Sequence, residues 1–274
     1  MNRYLSIILL LIVKTESILL KLFHLKKPLN LQQNIILKKS NKIYTDIDKF
    51  LEENKYYNDK KLITISPAGL KGFYNLGTCV FIKENFDLEN YIYSGVSAGS
   101  WNGLIMIYNK DPYKLADSLI NIASKNKDFK TIYDLQIELK NELLTNYDES
   151  NFKLDKLFMG VASFQKDKMT SNLYSDFENL SDALDCAIAS SHIPFVTGKY
   201  INKYYNYVSF DGGITSKKYL NIPPILRIQQ NMWNYQYNEE EMFKPQDNNY
   251  KQLFLKGYND AKKNKDYLKY ILVK

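Results

Sequence analysis

The chain has 274 residues, 45% hydrophobic and 24% charged, an ordinary composition for a globular protein able to bury one large core. Two cysteines, Cys79 and Cys186, stand in apolar surroundings without paired spacing, which argues against a disulfide framework or a metal site. The formal charge of +7 rests on 37 Lys and Arg against 30 Asp and Glu, yet only Arg3 and Arg227 are arginine. Charge alone is a weak argument for any partner: anionic lipid surfaces and nucleic acid are both electrostatically compatible with it, and no arginine-rich patch or nucleic-acid-binding module supports the second.

Residues 4–23 read YLSIILLLIVKTESILLKLF, the most apolar stretch of the chain. Lys14, Thr15 and Glu16 end the apolar run after Val13, short of the roughly 18 residues that a spanning helix needs. Wound as a helix, the segment places Arg3, Ser6, Lys14, Ser17 and Lys21 along one side of an apolar rod. An interfacial membrane helix fits best, which would make the protein membrane-associated. A signal peptide, implying a secreted or lumenal protein, and a helix docked on the domain's own surface are the alternatives. We divide the chain into this hydrophobic segment (1–25), a polar connector (26–60) and a main domain (61–274). The connector is expected to hold one short helix over 45–54, capped by Thr45, with Ile47, Phe50 and Leu51 as its apolar stripe.

The main domain opens with KLITISPAGLKGFYNLG at 61–77, a β-branched strand, a small-residue loop and the start of a helix. Small residues let backbone amides come close to a reacting oxygen, and Ala68 and Gly69 are the candidate donors. Residues 91–108, YIYSGVSAGSWNGLIMIY, are the centre of the chain: aromatic and β-branched alternation into a glycine, then helical spacing. Between the two lies Gly95-Val96-Ser97-Ala98-Gly99, with small residues on both sides of a serine at a strand-to-helix turn. Such a turn lifts the hydroxyl clear of the sheet and aims the helix N-terminus at it, so Ser97 is the candidate nucleophile.

One or two amphipathic helices follow in 111–146, strands in 151–170, and a small-residue helix over 182–191 before His192-Ile193-Pro194. An aromatic strand over 203–210 runs into Asp211-Gly212-Gly213. An Asp-Gly pair is also an ordinary turn between strands. Pro223-Pro224 reads as a stop, and the chain ends in a lysine-rich helix with Tyr250, Phe254, Tyr258 and Ala261 near one face. Of the two histidines, His24 lies in the apolar segment and His192 precedes the candidate acid beside a proline. No histidine follows Asp211, so a Ser-Asp-His order is excluded and a Ser97–Asp211 dyad is favoured.

Together these residues resemble the patatin-like phospholipase family over about residues 61–263. The resemblance is carried by Pro67-Ala68-Gly69-Leu70-Lys71-Gly72, the Gly95 to Gly99 elbow and Asp211-Gly212-Gly213. Lesser echoes are Ala189-Ser190-Ser191-His192-Ile193-Pro194-Phe195 and Gly257-Tyr258-Asn259-Asp260-Ala261. It implies a three-layer α/β/α fold with a mostly parallel central sheet and hydrolysis of lipid acyl esters at a membrane surface. Ser97 would be the nucleophile and Asp211 the base, with Ala68, Gly69, Lys71 and Gly72 in the oxyanion loop. Gly95, Gly99, Gly212 and Gly213 would be the supporting glycines. It implies no metal, no cofactor and no particular oligomeric state. Pro67 and Ala68 stand where the family carries glycines, and Pro67 has no amide to donate. That departure motivates the alternative, a patatin-fold protein that binds lipid or a partner without turnover.

Overall fold

Alternation along the strands decides which residues face which core. In the computed structural model, which describes residues 29–125, 129–165, 168–198, 200–236, 243 and 249–273, nine strands form one sheet. They are β1 (Gln33–Leu37), β2 (Lys42–Tyr44), β3 (Lys61–Ile65), β4 (Tyr91–Val96), β5 (Leu157–Gln165), β6 (Lys168–Ser175), β7 (Asn202–Tyr204), β8 (Tyr207–Asp211) and β9 (Pro224–Ile228). Their order is β2-β1-β6-β5-β4-β3-β9, with β8 paired to β5 and β7 to β8. The site-bearing block of β5, β4, β3 and β9 is parallel throughout. The β5–β6 and β7–β8 hairpins, the β5–β8 pair and the β1–β2 pair add the antiparallel pairings.

Ile63, Ile65, Tyr91, Tyr93, Leu157 and Met159 point into the larger core. It is shared with α2 (Gly72–Asn85), α3 (Ala98–Ile107), α4 (Pro112–Lys125), α5 (Ile132–Asn146), α6 (Leu180–Ser190), α7 (Tyr250–Lys263) and α8 (Lys265–Leu272). The intervening Leu62, Ile92, Phe158 and Leu173 face a smaller core closed by Phe50 of α1 (Ile47–Glu53). This is the three-layer α/β/α fold with a mostly parallel central sheet that the sequence led us to expect. Among the described residues no helix is long and apolar enough to cross a membrane. The hydrophobic segment 1–25, with His24 and its three readings, lies outside the described residues.

Four local expectations need correction. The stretch 26–60 is no mere connector, because β1 and β2 belong to the sheet and Ile35, Ile36 and Leu37 are buried on both of its faces. The cap of α1 is Asp46 rather than Thr45, its Oδ1 accepting from the amides of Asp48 at 2.8 Å and Lys49 at 3.1 Å. The strand expected over 203–210 is a hairpin, turned by Tyr205 and Asn206 at φ 51° and 64°, as a two-residue hairpin loop requires. Pro224 begins β9 instead of stopping the chain, which an edge strand tolerates because its outer side needs no amide.

Helices α2 and α7 cross at glycines. A Cβ on Gly257 would lie 1.9 Å from the Tyr74 carbonyl oxygen, and one on Gly77 2.0 Å from that of Phe254. The close approach lets Thr78 Oγ1 donate to the Gly257 carbonyl at 3.3 Å and the Tyr74 hydroxyl to Asp260 Oδ2 at 2.9 Å. Gly257→Ala forces the helices apart. We expect it to cost at least about 1–3 kcal/mol, read as a drop of several degrees in Tm; an unchanged melting curve would contradict the crossing.

Candidate active site

The elbow is strained where the sequence placed it. Ser97, at the end of β4, has φ 55° and ψ −128°, a backbone region that side-chain-bearing residues avoid. The turn closes because a Cβ on Gly95 would lie 2.3 Å from the Gly99 carbonyl oxygen, and one on Gly99 2.2 Å from that of Ile65. Helix α3 thus sits directly on the ends of β3 and β4.

Ser190, at the end of α6, locks the strained peptide. Its Oγ accepts from the Ser97 amide at 2.9 Å, lies 2.8 Å from Ser100 Oγ and donates to the Gly160 carbonyl at 2.7 Å. All three serines are buried. The sequence showed Ser190 only as one small residue in a small-residue helix, and nothing in its spacing marked this role.

Asp211 ends β8, and its carboxylate lies near enough to the Ser97 side chain for that hydroxyl to lower its pKa. Its Oδ1 also accepts from the Gly213 amide at 2.7 Å, and its own amide donates to the His192 carbonyl at 2.7 Å. The carboxyl is 5% exposed, and burial raises its pKa to about 6 against the lowering effects of Ser97, the Gly213 amide and the Lys218 charge. A Cβ on Gly212 would lie 2.2 Å from the same Gly160 carbonyl that Ser190 uses, and one on Gly213 2.8 Å from Asp211 Oδ1. His192 therefore serves the acid through its backbone. Its ring Nδ1 lies 3.4 Å from Thr197 Oγ1.

Strand β5 reaches both members of the pair because it changes partner halfway. Residues 157–160 pair with β4, which leads to Ser97, and residues 161–164 pair with β8, where Val161 stands opposite Asp211.

The loop after β3 divides the remaining candidates. Gly69, at φ 51°, and Gly72 line a cavity together with Ser97 and Ala98. Ala68 and Lys71 are buried beside it but are not part of its wall. The loop is braced by residues the sequence did not reveal. Gln230 Nε2 donates to the Pro67 carbonyl at 3.2 Å, the Tyr219 hydroxyl lies 3.4 Å from Ser66 Oγ, and Asn102 Nδ2 donates to the Gly72 carbonyl at 3.0 Å.

The cavity has a volume of about 90 Å³ and an apolar wall of Leu70, Phe73, Leu76, Trp101, Leu135 and Leu139, among others. It runs from Ser97 between α2, α3 and α5 into the larger core. Among the described residues no group of three or more His, Cys, Asp or Glu side chains is placed to hold a metal ion. No protein-family model matches the chain, and no curated protein matches it.

Ionising Asp211 in the fold is unfavourable. Its folded pKa of about 6 exceeds the ordinary carboxylate value, so the protein loses stability as pH rises from about 4 to 6, by about 3 kcal/mol in total. Asp211→Asn removes that loss. We expect denaturant melts to find the variant more stable than wild type above pH 6 and equal to it below pH 4.

Proposed function

We propose that the protein is a serine acyl hydrolase of the patatin-like kind, cleaving acyl esters of lipids through a Ser97–Asp211 dyad. The observation that carries this reading is the pairing of a strained, buried serine with a carboxyl held at about 6, at the mouth of an apolar cavity. A carboxylate with that pKa is largely ionised at neutral pH yet basic enough to accept a proton in the transition state. The apolar cavity suits an alkyl chain, which places the ester carbonyl at its mouth beside Ser97.

As the Ser97 oxygen bonds to the ester carbonyl carbon, Asp211 takes its proton and negative charge moves onto the carbonyl oxygen. The amides of Ala98, at the start of α3, and Gly69 receive that charge, aided by the helix dipole. Collapse of the tetrahedral intermediate breaks the ester C–O bond, and Asp211 returns the proton to the leaving alcohol. Water then attacks the acyl-enzyme, Asp211 takes its proton and passes it back to Ser97, and the fatty acid departs. The dyad thus ends as it began.

A membrane surface is the proposed location of the substrate. Ile193 and Thr197 contribute to the cavity wall, while Phe195 and Val196 between them are 50% and 39% exposed, and Tyr200 and Ile201 follow at 71% and 62%. Exposed apolar side chains beside an apolar cavity suit contact with lipid, and the formal charge of +7 favours an anionic one.

A second reading, lipid or partner binding without turnover, is favoured by one observation. Pro67 has no amide and Ala68 lies behind the cavity wall, which leaves Gly69 and Gly72, without the first two places of this loop, in the wall beside Ser97.

Labelling by a fluorophosphonate probe separates the two. We expect wild type to be labelled and Ser97→Ala and Asp211→Asn not to be, with ester turnover in Ser97→Ala reduced by several orders of magnitude. Folded wild-type protein that resists the probe with and without vesicles would establish the second reading. The dyad also sets the pH dependence: kcat/KM is expected to fall tenfold per pH unit below about 6, as Asp211 becomes protonated, and a rate flat from pH 5 to 8 would exclude it as the base. Leu139→Trp, which narrows the apolar cavity, is expected to depress turnover of long-chain esters far more than that of acetyl esters.

A further inference from the structure

On the opposite face of the sheet a polar cavity of about 610 Å³ lies between the 216–224 segment, the β1–β2 hairpin, the start of α1 and the β3–β9 edge. Its wall includes Lys217, Lys218 and Arg227. Asp46 is the one carboxylate among the described residues that line it, and its Oδ1 already caps α1. Three basic residues therefore share this wall with one carboxylate that is already committed.

The floor carries a second observation. Thr64 stands between Ile63 and Ile65, which point into the larger core, so its side chain faces this cavity. It is 3% exposed. Arg227 is its register partner on the neighbouring parallel strand, so both side chains project from one face of the sheet into the cavity wall. A buried hydroxyl next to an arginine, with two lysines on the segment above, offers charged and neutral donors to one multidentate anion.

We propose that this cavity is a binding site for a phosphate group carried by a small polar molecule or a lipid head group, held by Arg227, Lys217, Lys218 and Thr64. The guanidinium fork pairs with two phosphate oxygens, the ammonium groups neutralise the charge, and the Thr64 hydroxyl donates from the floor. The volume suits a phosphorylated molecule rather than a bare ion. The site does not depend on the hydrolase reading, since none of these residues lines the Ser97 cavity. Lys218 nevertheless lies close enough to Asp211 for each charge to stabilise the other, so an anion bound here adjoins the dyad from behind.

The test measures binding of inorganic phosphate and glycerol 3-phosphate by calorimetry, and of vesicles of phosphatidylcholine with and without phosphatidic acid by co-sedimentation. Wild type and Ser97→Ala are expected to bind alike, so that loss of hydrolysis and loss of this site are read separately. Arg227→Gln, on an exposed edge position, is expected to weaken binding at least about tenfold, and Thr64→Val several-fold. Lys114→Gln, with a side chain 84% exposed on α4, should change nothing. Binding of glycerol 3-phosphate that competes with the vesicles identifies a soluble ligand. Phosphatidic-acid-dependent sedimentation lost in Arg227→Gln, without binding of the free compounds, places the phosphate on a lipid. Wild type that binds none of these probes, or Arg227→Gln that binds them as wild type does, overturns the proposal.

Discussion

The site depends on how closely α3 can approach the ends of β3 and β4. The Gly95–Gly99 contact and the seating of Gly99 on the Ile65 carbonyl leave no room for any side chain, and they force Ser97 into a left-handed backbone. Such a conformation costs of the order of 1–3 kcal/mol and persists only where its surroundings over-determine it. Here they do so through Ser190, which binds the Ser97 amide and anchors itself on the Gly160 carbonyl. The strain is thus held by hydrogen bonds to neighbouring elements, and the serine hydroxyl remains available to Asp211.

Burial acts on the dyad in two directions. It withdraws Asp211 from water and so raises the pKa that the proposed proton transfer needs, while the Gly213 amide, Ser97 and Lys218 keep the carboxylate within reach. Burial alone would hold the carboxyl higher, and Lys218 and the amide without burial would hold it lower and leave a poorer base. The balance comes from a loop, 211–218, that supplies the acid, a hydrogen-bond donor and a cation within a few residues. Aspartate followed by two glycines is therefore informative in this chain, because the second glycine's amide is the donor.

The legible parts of the fold were those in which local pattern and tertiary role agree. The elbow, the small-residue loop and the Asp211 turn need particular residue types at fixed spacing, and their backbone geometry leaves a trace in sequence. Strands β1 and β2 left none. QNIIL is buried on both faces between β2 and β6, so it shows no alternation, and its polar flanks read as a connector. Tyr205 and Asn206 carry positive φ without a glycine, so the hairpin passed as one strand. At the site, Ser190, Gln230, Asn102 and the His192 carbonyl support the machinery through contacts between residues distant in sequence, and generic polar residues do not announce them. Lys71 sat at a suggestive position, but its place behind the cavity wall follows from the path of the loop.

The partner change along β5 has a consequence for how such a protein tolerates variation. One peptide carbonyl, that of Gly160, is the common surveying mark for Ser97 and Asp211: Ser190 hangs the Ser97 amide from it, and Gly212 rests against it. The long excursions that carry α4 and α5 lie between Ser97 and Gly160 in sequence, outside the strands that set these marks. Lineages could lengthen, shorten or replace those excursions and so reshape the cavity while the distance from serine to aspartate stays fixed. A change that rotates the Gly160 peptide would displace both partners at once, however well the rest of the chain were preserved.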